Sequence, residues 1–146
     1  MRDDKNIYNH TAYINDNYVE KNGCVEVTLF SYETFEIYQQ VVFDWVKKNH
    51  TVKLELYRGL CDPETPVNVC GIVSNIRINP LDFTVTGTIK PSGRMQSTLI
   101  DTIKHKHPIT TRMRGIFTDG RSGYRCIEIK GLILMAGFSA FRKRIF

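Results

Sequence analysis

Residues 67–89 read VNVCGIVSNIRINPLDFTVTGTI. Two runs rich in valine, isoleucine and threonine flank Asn79-Pro80-Leu81-Asp82, where asparagine, proline and aspartate supply loop chemistry. The stretch therefore predicts a β-hairpin. Outward from it the pattern repeats. Residues 51–57 (TVKLELY) and 24–30 (CVEVTLF) alternate apolar and polar side chains, as half-buried strands do. Residues 109–117 and 124–135 flank Asp119-Gly120-Arg121-Ser122-Gly123, a second hairpin, and 58–66, with Gly59, Pro63 and Pro66, read as a loop.

Two segments follow a helical period instead. In residues 34–48, Phe35, Tyr38, Val42, Trp45 and Val46 recur at three- and four-residue spacing. Ser31 or Thr34 can cap the start, and Lys47 and Lys48 suit the negative end. Residues 96–106 form a shorter candidate, with Leu99, Ile100 and Ile103 facing inward. Gly71, Gly87, Gly115 and Gly131 sit inside strand patterns, where glycine marks a bulge or a bend. These elements predict a β-rich α+β domain: a mostly antiparallel small barrel or sandwich of six or seven strands with one main helix packed on it. The expected organisation is a polar arm at 1–23, one domain at 24–137, and an aromatic-basic tail at 138–146.

The chain of 146 residues is 42% hydrophobic and 24% charged, a globular balance. Its longest apolar run, 131–138 (GLILMAGF), is far short of the roughly 20 residues that span a bilayer. The start, MRDDKNIYNH, has no apolar core of a secretory signal, which points to the cytoplasm or to a particle assembled there. Cys24, Cys61, Cys70 and Cys126 are scattered without a C-x-x-C pair, so free thiols are expected and a zinc knuckle is not.

Charge is uneven. Residues 1–89 hold 8 lysines and arginines against 12 acids, a net −4, whereas residues 90–146 hold 12 against 3, a net +9. One face should meet something acidic. The densest basic text is 104–115, KHKHPITTRMRG. If extended, His105 and His107 put both rings on one face, half of a zinc or copper site. The other histidines, His10 and His50, lie far along the chain, and Lys104 and Lys106 repel a cation. No metal or other cofactor is expected. Asp119 with Glu128-Ile129-Lys130 matches the D…E-x-K of magnesium-dependent nucleases, but Asp119 sits in a turn and the preceding strand carries Arg112 and Arg114. No catalytic residue is assigned, and the chain is not expected to be an enzyme.

Binding remains. With the second hairpin in register, Arg112, Arg114, Arg125 and Lys130 form a basic ladder on the sheet's outer face, with Arg121 in the turn. Lys90, Arg94, Lys104 and Lys106 lie at the sheet's end. Such a surface suits RNA, single-stranded DNA or an acidic protein. The tail offers Phe138, Phe141, Arg142, Lys143, Arg144 and Phe146 as docking residues. The leading expectation is a non-enzymatic assembly subunit, such as a viral or phage particle component. It would contact copies of itself or neighbouring subunits through arm, tail and basic face; a nucleic-acid binder is the alternative.

Overall fold

The computed structural model describes residues 5–8, 13–32, 37, 39–56, 68–120 and 123–135. Among these residues nine strands and two helices follow in chain order: β1 (Lys5–Tyr8), β2 (Tyr13–Asn15), β3 (Glu20–Lys21), β4 (Cys24–Ser31), α1 (Gln39–Lys48), β5 (Val52–Leu56), β6 (Val69–Asn79), β7 (Thr84–Pro91), α2 (Gln96–Lys104), β8 (Ile109–Gly120) and β9 (Gly123–Leu134). The strands form one sheet, ordered β1-β8-β9-β5-β6-β7-β4-β3, with β2 pairing β8 beside β1.

This corrects the expected architecture. The sheet path has eight strands where six or seven were expected, and it is mixed because β5 runs parallel to β9. It curls as a half-barrel. The additional strands come from the segment read as a polar arm. β1 lies along Arg114–Phe117 of β8, β2 along its Ile109–Thr111 end, and β3 along Val25 and Cys24. Short polar strands lack the apolar alternation that announces a buried one, and they suit the solvated edge of a sheet.

The two flanks of the curl are stitched where β4 faces β8. Asn15 donates from Nδ2 to the Thr28 carbonyl (2.9 Å) and to the Ile109 carbonyl (3.1 Å), and its Oδ1 accepts the Thr28 N–H (2.9 Å). A bulge around Leu29 frees that residue's carbonyl, which accepts a hydrogen bond from Thr111 Oγ1 at 2.7 Å. Side chains thus satisfy strand groups that would otherwise lie unpaired at an edge.

Inside the curl lie Val25, Leu29, Phe30, Leu54, Val73, Ile89 and Leu132, all fully buried. α1 closes one side with Val42 and Trp45, the indole tilted against Phe30 at 6.0 Å between ring centres. The expected helix shares its end, Lys48; Phe35 and Tyr38 fall outside the described residues, as does the loop expected at 58–66. α2 buries Leu99 and Ile103 but turns Ile100 outward, 43% exposed, against the expectation that all three face in.

The β6–β7 hairpin forms where its turn residues place it. Asn79 Nδ2 donates to Asp82 Oδ2 (3.1 Å), and Asn79 Oδ1 accepts the Leu81 N–H (3.2 Å), an Asx turn. Among the described residues no helix is long and apolar enough to cross a membrane.

Candidate binding groove at the end of the second helix

The last turn of α2 closes in a defined way. The Lys106 N–H donates to the Ile103 carbonyl (3.1 Å) and the His107 N–H to the Thr102 carbonyl (3.0 Å), with Lys106 at φ +56°. That is a Schellman motif with lysine where glycine is the usual residue. A side chain in the left-handed region costs roughly 1 kcal/mol. The Asp101 carbonyl accepts both the His105 N–H (3.0 Å) and, at 2.9 Å, the His105 ring Nδ1–H. The Tyr18 hydroxyl, whose pKa burial raises, donates to the carbonyls of His107 (2.6 Å) and Thr102 (3.3 Å). Main chain, one histidine and one tyrosine therefore cap the helix. The lysines do not.

Beside this terminus opens a groove of about 580 Å³. Lys104 and Lys106 come from the helix end and Lys90 from β7, while Ile100, Ile103 and Pro91 give an apolar floor. Glu20 of β3 stands at the rim. Among the described residues no carboxylate pairs with Lys90, Lys104 or Lys106. The lining thus combines three lysines and one glutamate with apolar side chains, a surface complementary to negative charge carried beside an apolar group.

Of the basic ladder expected on the second hairpin, Arg114 does not face outward. Two bulges interrupt the β8–β9 register, leaving Lys130 and Ile127 without opposite partners on β8. Arg114 turns into the fold, its side chain 7% exposed, and its Nη2 lies 3.2 Å from Glu55 Oε1, itself 12% exposed. β9 separates β8 from β5, so the guanidinium reaches Glu55 across Gly131, directly opposite Arg114. A Cβ built on Gly131 would lie 3.2 Å from Arg114 Nη2. That glycine, expected to mark a bulge or a bend, gives the arginine its passage. Arg112 is half-buried, and Lys130 meets Glu128 at 3.5 Å on the exposed side. Arg121, Phe138, Phe141, Arg142, Lys143, Arg144 and Phe146 lie outside the described residues, as does the side chain of Arg125.

The other candidate chemistries are separated in space. Asp119 pairs with Tyr124 whereas Glu128 pairs with Ile116, three β8 positions away, about 10 Å along a strand. The rings of His105 and His107 stand 5.9 Å apart. Among the described residues no three His, Cys, Asp or Glu side chains gather around a common point as metal ligands would. Burial, the largest influence on both thiols, pushes the pKa of Cys70 up to about 12 and that of Cys126 up to about 11. Both remain protonated and unreactive near neutrality.

Sequence reasoning placed Lys90, Lys104 and Lys106 at one end of the sheet but missed their setting. Ile100 and Lys104 are four residues apart on one helix face, a signal that pairs an apolar floor with a charge. Glu20 and Pro91 arrive only through strand pairing.

A curled mixed sheet with helices packed on it defines the fold class. No family model matches the chain, and no curated protein sequence matches it. Among solved structures, the bacteriophage T4 capsid assembly protease, gp21, has a similar fold, with a TM-score of 0.51 and 16% identity. The match covers 86% of this chain and 94% of that one. At this identity the likeness is one of fold alone.

Proposed function

We propose that this chain is an assembly subunit of a phage-type particle or its precursor, acting by binding and docking through the Lys90–Lys104–Lys106 groove onto an acidic protein surface. The observation that carries this reading is the groove itself: three lysines that neither cap the helix nor meet a carboxylate among the described residues, set around exposed Ile100. The fold shared with a capsid assembly protease supports the setting. An apolar floor favours protein over nucleic acid. Sequence-tolerant single-strand binding stacks bases on exposed aromatics, and among the described residues no aromatic lines this groove.

The neighbour's name raises proteolysis as well. Among the described residues the groove lining supplies no serine, threonine or cysteine as nucleophile. Ser97, in the first turn of α2, is eight residues before the capping His105, about 12 Å along the axis. Binding is the reading these positions support.

Size-exclusion chromatography with light scattering, run with and without nuclease, tests it. The expected result is a species larger than one chain whose mass nuclease leaves unchanged and Lys104→Glu with Lys106→Glu reduces. Loss of the larger species on nuclease treatment would transfer the groove to nucleic acid.

A further inference from the structure

The β6–β7 hairpin carries a feature that the groove leaves unexplained. At its tip Leu81 is 88% exposed, next to exposed Asp82, and Phe83 follows, 42% exposed with φ +56°. A bulky aromatic residue in the left-handed region is uncommon and strained. The tip is held firmly despite this. Beyond the Asx turn, the Phe83 carbonyl accepts the Tyr32 N–H at 2.8 Å and the Ser31 hydroxyl at 3.2 Å. The Tyr32 ring meets Phe83 edge-on at 5.8 Å and Phe43 edge-on at 6.1 Å. Leu81 and Asp82 therefore form a preorganised knob, with an apolar side chain beside a carboxylate, and little freedom is left to lose on docking.

The groove is the complement of that knob. It is lined by the apolar Ile100, Ile103 and Pro91 together with Lys90, Lys104 and Lys106, and it sits at the other end of the same hairpin. Lys90 and Pro91 close β7, whereas Thr84 opens it beside the knob, about 20 Å away along an extended strand. A chain cannot reach its own groove with its own knob across that distance.

We infer that the groove receives the β6–β7 tip of a second copy, Leu81 resting on Ile100 and Asp82 facing Lys104 and Lys106. This rests on the assembly reading above and names its partner. Because knob and groove are different surfaces at opposite ends of one hairpin, the contact is head-to-tail and propagates into a ring or a filament. Its carboxylate–ammonium component weakens as salt rises.

Complementation of two half-dead variants tests it, read by sedimentation velocity. Leu81→Lys removes the knob and adds a charge that the groove repels; Lys104→Gln with Lys106→Gln neutralises the groove. All substituted side chains are solvent-facing, and unchanged melting curves verify the folds. The unmodified chain is expected to grow with concentration beyond a dimer. Each variant alone should stay monomeric, with association at least 100-fold weaker. Their mixture should form a dimer and nothing larger, since one variant retains a groove and the other a knob. If Leu81→Lys assembles like the unmodified chain while the groove variant does not, the knob is wrong and the assembly reading survives. If the unmodified chain is monomeric throughout, the second-copy partner is overturned. A mixture that remains monomeric overturns the pairing of these two surfaces.

Discussion

Arg114 and Lys106 stand eight residues apart in the most basic stretch of the chain, yet the fold puts them to opposite uses. Arg114 lies across β9 at Gly131 and meets Glu55 on β5, so its charge is largely removed from solvent. Lys106 occupies a left-handed position at the end of α2 and lines an open groove without meeting a carboxylate among the described residues. One cation holds strands together; the other remains available to a partner. A count of basic residues cannot separate them. The distinguishing observations are a glycine that lets a guanidinium pass and a helix cap that does not consume its lysines.

The contrast makes graded demands. The largest effect is expected at Arg114, since removing one member of a buried ion pair strands the other. Arg114→Met should destabilise the fold by about 3 kcal/mol, measured by denaturant unfolding, because it takes away the cation beside Glu55. Glu55→Met combined with Arg114→Met should return most of that loss. A double variant as unstable as the single would show that the arginine acts by packing alone.

A smaller effect of opposite sign is expected in the groove. Lys106→Gly relieves the left-handed strain and should raise stability by about 0.5–1 kcal/mol, after allowing for glycine's greater freedom when unfolded. It should also weaken assembly. A thermal melt beside a sedimentation run shows both, and a variant that is less stable would place Lys106 with Arg114 as a structural cation. The smallest effect belongs to Lys104→Gln. Without a described carboxylate partner, this substitution should leave stability within about 0.5 kcal/mol while reducing assembly.

Much of the sheet was legible because its strands alternate and its turns carry turn residues. Asn79 and Asp82 make the bonds their chemistry implies, and Trp45 packs where its helical stripe predicts. Legibility ended where two-residue periodicity did. Bulges at Ile127 and Lys130 shift the β8–β9 register, so parity along the sequence no longer reports which arginines share a face. The mixed character of the sheet depends on the β5–β9 pairing between strands far apart in the chain, and local pattern carries no information about it. Edge strands β1 to β3 were unreadable because edges need no apolar face. The groove lysines could be gathered by position, but the left-handed backbone at Lys106 breaks the usual preference for glycine and leaves no trace in the text.

The stitch made by Asn15 has a consequence for synthesis. Asn15 joins the Ile109 carbonyl across 94 positions of chain, and β1 and β2 both pair with β8. These strands leave the ribosome well before the partner they pair with. At ordinary elongation rates of about 5–20 residues per second, that interval is roughly 5–20 seconds. The pairing is also of the long-range kind that slows folding. Throughout the wait, the Leu29 carbonyl that Thr111 later satisfies and the Asn15 amide that later donates to the Ile109 carbonyl lack those partners. The nascent protein therefore presents an unfinished strand edge that the finished one conceals, and this interval is its period of greatest exposure to mispairing and to chaperones.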